Sequence, residues 1–302
     1  MRFTRVLALG ASALVLLSAC STGGGSKPTV KVGSDGFYEA KLMAEIYAQA
    51  LEAGGYAVDR TGIGIGARKV SAPALESGQI DLKPEYIGSG LAFYEPGKQT
   101  GDPAANATAL QAVLTTKGGG ITVLTYSPAA DQNAFVVRKD TATQLNLAKL
   151  SDTTAVQDQL KWGLATDCKT NAVCAAALKS AYGLDPKNIT PLAACDTPMA
   201  QALVNKTIDV AELCSTQPDI AVNGFVVLTD DKQTQPADNL DPLVRNDLLA
   251  KVDKTSFEKI LNDVSAKMDT ATLTDLGKQI TVDKKDIAVV AKAWLQTAGL
   301  IK

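Results

Sequence analysis

The 302-residue chain contains no histidine. That removes Ser-His-Asp and Cys-His relays, imidazole acid–base steps and histidine metal sites together. What remains able to do chemistry is cysteine, carboxylate and a small set of rings. Aromatic residues make up only 5% of the chain, so each ring near a cleft is informative. Of the five cysteines, Cys168, Cys174, Cys195 and Cys214 form an even set that follows Cys20. Zinc without histidine would need an all-thiolate site, which usually shows CxxC pairs that are missing here. Four cysteines allow three disulfide pairings. Short-loop closure favours Cys168 with Cys174, across the start of a predicted helix. It pairs Cys195 with Cys214, at the end of a predicted strand. Free buried thiols are the alternative. Gly62-Ile63-Gly64-Ile65-Gly66 lacks GxGxxG spacing and follows a second strand, so it is not a dinucleotide loop. No GxxxxGK[ST] phosphate loop occurs. Asp230-Asp231 reads as a turn rather than a metal site. No catalytic constellation emerges.

The amino terminus reads as an address. Arg2 and Arg5 precede an uncharged apolar run, Val6 to Ala19, that is short for a membrane span and has signal-peptide flanks. It ends Leu17-Ser18-Ala19-Cys20, which resembles a bacterial lipobox, with Cys20 as the lipidated residue. Residues 1–19 are therefore expected to be a signal peptide. Residues 20–28 follow as a lipidated, Gly/Ser-rich tether with reach from a membrane surface. Hydrophobic residues are 46% of the chain and charged residues 21%, as in a globular protein. A formal charge of −2 argues against nucleic acid as a partner.

The elements that must position any site alternate. Thr29–Ser34 reads as a strand and a turn. Glu39–Ala53 reads as an apolar-faced helix stopped by Gly54-Gly55. A strand at Tyr56–Val58, a helix over Ala67–Ser77 stopped by Gly78, and a strand at Ile80–Leu82 follow. Further strands are predicted at Ala134–Arg138, Trp162–Ala165, Ile208–Leu213 and Phe225–Leu228. A helix is predicted over Asn171–Tyr182, and a helical tail from Asp247. This is the α/β class with a largely parallel sheet.

One succession of residues says more than periodicity. It runs Gly33-Ser34-Asp35-Gly36-Phe37-Tyr38-Glu39, Ala74–Leu82, Pro84-Glu85-Tyr86-Ile87-Gly88-Ser89, Ser127–Ala134, Ala181-Tyr182-Gly183-Leu184, Val227–Lys232 and Pro242–Arg245. It resembles the substrate-binding subunits of osmoprotectant ABC importers, the glycine betaine, carnitine and choline binding family. The resemblance implies a two-lobed type II periplasmic-binding-protein fold with two interlobe crossings, near Thr125–Asn133 and Thr229–Pro242. Residues 29–126 and 233–302 would form lobe I, and residues 127–232 lobe II. It implies an extracytoplasmic receptor that closes on a small osmoprotectant-like solute and delivers it to an ABC permease with its ATPase. It implies no cofactor and no enzymatic activity. A non-betaine polar or aromatic solute, or a sensor lipoprotein on the same scaffold, are the other readings.

Family members hold a quaternary ammonium group among tyrosines and clamp a betaine carboxylate with basic and hydroxyl groups. Carried over by position, the family's Gly-Ser-Lys turn stands here as Gly33-Ser34-Asp35, with an acid for the lysine. The cage tyrosine is kept as Tyr86, and a hydroxyl as Ser89. Asn171 stands where an arginine is expected, and Ala237 where a tyrosine is. The cleft is therefore expected to be lined by Asp35, Phe37, Tyr38, Tyr86, Ser89, Asp131, Asn133, Asn171 and Thr216, with no basic clamp. Tyr38 or Tyr126 could rebuild the cage. Without the clamp, glycine betaine should bind weakly.

Overall fold

A computed structural model of the chain describes residues 27–302. The expected signal peptide, Cys20 and most of the tether lie outside the described residues. Among the described residues, no helix is long and apolar enough to cross a membrane.

Two five-stranded mixed sheets carry the fold. The first contains β1 (Val30–Asp35), β2 (Val58–Gly66), β3 (Leu82–Tyr86) and β4 (Ile121–Val123). The second contains β5 (Asn133–Val137), β6 (Trp162–Ala165), β7 (Ile189–Leu192), β8 (Val210–Cys214) and β9 (Val226–Val227). The chain then returns to the first sheet as β10 (Leu240–Arg245). Strand order is β2-β1-β3-β10-β4 in one sheet and β7-β6-β8-β5-β9 in the other. In each sheet three strands run parallel, and the strand laid down by an interlobe crossing, β10 or β5, pairs antiparallel on both sides. The crossings thus tie each lobe to the other through a strand one place in from the sheet edge.

The glycine run is a strand feature. Gly33 and Gly62 pair in register between β1 and β2, and a Cβ on either would collide with the Ile80 side chain. The close approach lets Ile80 seal the sheet. The four helices that follow in lobe I are α1 (Tyr38–Ala53), α2 (Arg68–Ser77), α3 (Ile87–Tyr94) and α4 (Pro103–Leu114). Gly78 stops α2 in the left-handed conformation, at φ 78°. Helix α1 buries Leu42, Met43, Ile46, Tyr47 and Leu51 on one face of the first sheet, beside Phe257 and Leu261 of the tail helices. Helices α3 and α4 cover the other face through Leu91, Leu110 and Leu114. The second sheet is likewise covered on both faces, around Trp162 and Leu178 on one side and Met199 and Leu203 on the other. Each lobe is a three-layer α/β unit with its own core.

The predicted helix over Asn171–Tyr182 forms only in part. A helical turn spans Ala175–Ala177 and a wider turn Leu178–Tyr182. Cys174, at the head of this segment, has non-helical backbone (φ −117°, ψ −103°) and is bonded to Cys168. The cross-link prevents the residues around Asn171 from joining a helix. The strand predicted at Ile80–Leu82 lies instead at Leu82–Tyr86.

Candidate functional site

A cavity of about 370 Å³ lies between the lobes, at the carboxyl ends of parallel strands of both sheets. This is where open α/β sheets bind ligands. From lobe I it is lined by Asp35, Gly36 and Phe37 after β1, Gly66 to Arg68 after β2, and Tyr86 and Ser89 after β3. From lobe II it is lined by Asp131 to Asn133 on the first crossing, by Ala165 to Asp167 and Asn171 after β6, by Ala193 to Asp196 after β7, and by Glu212 and Cys214 of β8. Asp238, on the returning crossing, completes the rim.

The structure brings seven of the nine expected residues to this cavity: Asp35, Phe37, Tyr86, Ser89, Asp131, Asn133 and Asn171. Tyr38 and Thr216 do not line it. Tyr38 is the first residue of α1 and turns inward, its ring beside Gly277 and Pro218. Thr216 is 1% exposed and donates its hydroxyl to Glu39 at 2.6 Å. Both stand behind the wall, because the start of α1 points into the seam between the lobes. Tyr126 packs with the α3–α4 core and does not rebuild the cage.

The rings of Phe37 and Tyr86 lie roughly parallel, with centroids 5.9 Å apart and planes 30° apart. The Tyr86 hydroxyl donates to Glu39 Oε1 at 2.6 Å. Glu39 therefore joins Tyr86 of lobe I to Thr216 of lobe II. Burial and then the facing Asp131 push the Glu39 carboxyl well above its ordinary pKa. Asp131, which accepts from the Thr216 amide and the Ser215 hydroxyl, is itself raised to about 6 by burial. Both carboxyls therefore hold their protons to a higher pH than free carboxyls do.

Asp35, the acid that stands where the family has a lysine, is itself paired with a cation. Lys83 Nζ lies 3.0 Å from its Oδ1 and 2.9 Å from Glu85 Oε2, and the Ser71 hydroxyl also donates to Asp35. Lys83 is fully buried. A cation thus returns to this corner on β3, two residues from Glu85 on the same strand face. Glu85 also takes a fork of hydrogen bonds from Arg68, with Nη2 2.9 Å from Oε1. Against the effect of burial, Arg68 and Lys83 hold the Glu85 carboxyl down to about 2. Arg68 itself lines the cavity, so the wall does contain a basic group, contrary to expectation. Its signal in the sequence was position: the second residue after β2, at the start of α2.

Ser89 is committed as well. Its hydroxyl donates to Asp238, which also accepts from the Gly88 and Ser89 amides at 2.9 and 2.8 Å. This ties the return crossing to the start of α3. On the lobe II side, the structure pairs Cys168 with Cys174 and Cys195 with Cys214, with Cα separations of 5.1 and 4.8 Å. The first bond frames the Asn171 loop. The second fastens the segment Ala193–Asp196 to the end of β8. Glu212 accepts from the Ala165 amide at 2.8 Å, and burial raises its carboxyl to about 7, with Asp167 adding to the effect.

Two α/β lobes, two crossings and a polar cavity with an aromatic wall at the strand ends define a two-lobed solute-binding protein. The family described as the substrate binding domain of the ABC-type glycine betaine transport system matches residues 28–297, and the chain belongs to it. A glycine betaine-binding protein of Escherichia coli, YehZ, is 29% identical over 98% of this chain and 99% of its own length. The carnitine transport binding protein OpuCC of Listeria monocytogenes is 26% identical over 93% of this chain and 92% of its own. A solved structure described as a glycine betaine/carnitine/choline ABC transporter superposes with a TM-score of 0.69 at 22% identity, over 90% of this chain and 100% of that one. The last of these likenesses concerns fold alone.

Proposed function

We propose that this receptor captures a quaternary-ammonium solute and hands it to an ABC permease driven by its ATPase. The observation that carries the reading is the Phe37–Tyr86 ring pair in the wall of an interlobe cavity that also presents Asp131. A quaternary ammonium cannot donate a hydrogen bond and is recognised by ring faces and nearby negative charge. Asn133 and Asn171 supply amides to a polar substituent, and Arg68 is the one basic residue among the described residues that line the cavity. Lobe closure about crossings near residues 125–133 and 229–242 would bury the solute. Lobe I would comprise residues 29–126 and 233–302, and lobe II residues 127–232.

The test is titration calorimetry with choline, carnitine and glycine betaine, after mass spectrometry of any small molecule that copurifies. At least one of the three should bind, and Tyr86→Ala should weaken it by about 1–2 kcal/mol, roughly five- to thirtyfold. Failure of all three to bind would overturn the reading.

The receptor would be held at the extracytoplasmic face of the cell membrane through a lipid on Cys20. Cys20→Ser should move the protein from the membrane fraction to the soluble fraction. Retention in the membrane fraction after that substitution would count against the anchor.

A further inference from the structure

The carboxylates of the lobe II wall have no ionic partner. Among the described residues, no lysine or arginine reaches Asp167, Asp196 or Glu212 within ion-pair distance. Asp196 caps the helix Thr197–Val204 through its bond to the Thr197 amide. Asp167 and Glu212 are not used in this way. Glu212 is 1% exposed, yet it lines the cavity, and its Oε1 accepts no hydrogen bond among the described residues. A buried carboxyl with an open oxygen facing a cavity, next to a second acid, is an incomplete site. The ring pair cannot complete it, since Phe37 and Tyr86 belong to the opposite lobe.

We propose that Glu212 and Asp167 form a second cation subsite, for a hydrogen-bond-donating ammonium or guanidinium group. The proposal rests on the quaternary-ammonium reading and extends it: the preferred solute is a compact dication. Its methylated ammonium meets Phe37 and Tyr86, and its protonated amine donates to Glu212 Oε1 as the lobes close. An amine supplies what the site lacks, which is N–H donors and positive charge together. A hydroxyl at the same place supplies a donor without charge, and a carboxylate would face two acids. The cavity, at about 370 Å³, falls in the range of small-molecule sites and has room for a solute reaching both walls.

The experiment compares two isosteric probes, aminopropyl-trimethylammonium and hydroxypropyl-trimethylammonium, by calorimetry on the mature protein at about pH 8, above the raised pKa of Glu212. The amine should bind at least about tenfold more tightly. Glu212→Gln should bring the two within about threefold of each other, with most of the loss falling on the amine probe. Asp167→Asn, at a partly buried position, should narrow the gap in the same direction. Equal affinity of the two probes for the unmodified protein would overturn the subsite and leave the quaternary-ammonium reading standing. Binding of putrescine with no binding of either probe would overturn that reading and keep the subsite. Binding of none of the three would overturn both.

Discussion

On the lobe I side, Asp35 and Arg68 of the wall are paired with Lys83 and Glu85 buried behind it, and every one of these groups is held by at least two hydrogen bonds or ion pairs. On the lobe II wall, Glu212 and Asp167 face no cation among the described residues, and the wall is shaped by two disulfides. One side is neutral and electrostatically complete before any solute arrives. The other presents acids with no basic partner among the described residues and is incomplete. The difference divides the work of recognition: lobe I offers fixed rings and shape, while lobe II offers net negative charge that a cationic solute can satisfy on closure. It also means that counting acids in the sequence misjudges the site, because Asp35 contributes almost nothing to the cavity's charge.

The comparison is most sharply tested by removing a cation from the complete wall. Lys83→Met leaves Asp35 buried without its partner and Glu85 with Arg68 alone. Breaking a buried pair in this way costs roughly 3–5 kcal/mol. Urea denaturation should show that loss, whereas Asp167→Asn on the opposite wall should stay within about 0.5 kcal/mol of the parent. Similar costs for the two changes would mean that the walls are not different in kind.

A smaller effect is expected on the other side. Replacing Cys195 and Cys214 together by serine opens the link between the Ala193–Asp196 segment and β8. The loss should be about 2–4 kcal/mol, with weaker solute binding because half the acidic wall loses its fastening. Unchanged stability with both thiols free, established by peptide mapping under non-reducing conditions, would show that packing around Met199 and Leu213 holds the segment unaided.

Much of the scaffold was legible in the sequence. Trp162–Ala165 is a strand as read, and helix α1 starts one residue before the expected position and ends at the same residue, stopped by Gly54. Apolar spacing and glycine stops are local signals, and they survive folding. Of the three pairings that four cysteines allow, the structure has the expected one, Cys168 with Cys174 and Cys195 with Cys214. The partners of the charges were not legible. Lys83 and Glu85 alternate along a strand as solvent-facing residues do, yet that strand lies in the middle of its sheet and both side chains are buried behind Asp35 and Arg68, which line the cleft. Their partners, Asp35 and Arg68, are far away in sequence and meet them only through the parallel order β2-β1-β3. The failed helix at Asn171 has the same origin, since a cross-link to Cys168 outweighs helix propensity over a few residues.

The smallest predicted effect lies at the seam, where Glu39 joins the two walls. Burial raises Glu39 and Asp131 above their unfolded values, so the native state keeps protons that the unfolded chain has released. The stability they contribute is full below about pH 4. It is lost as pH rises through about 6, where Asp131 titrates, and further as Glu39 follows. Glutamine at position 39 mimics the protonated acid: its oxygen can accept from Tyr86, and its amide can donate to Asp131 at any pH. Glu39→Gln should therefore leave stability at pH 5 nearly unchanged and raise it at pH 8 by about 1 kcal/mol, flattening the decline between them. Urea unfolding at the two pH values measures this directly. An equal loss at both would mean that Glu39 acts only as a hydrogen-bond bridge, and that the charge of the seam does not respond to protons.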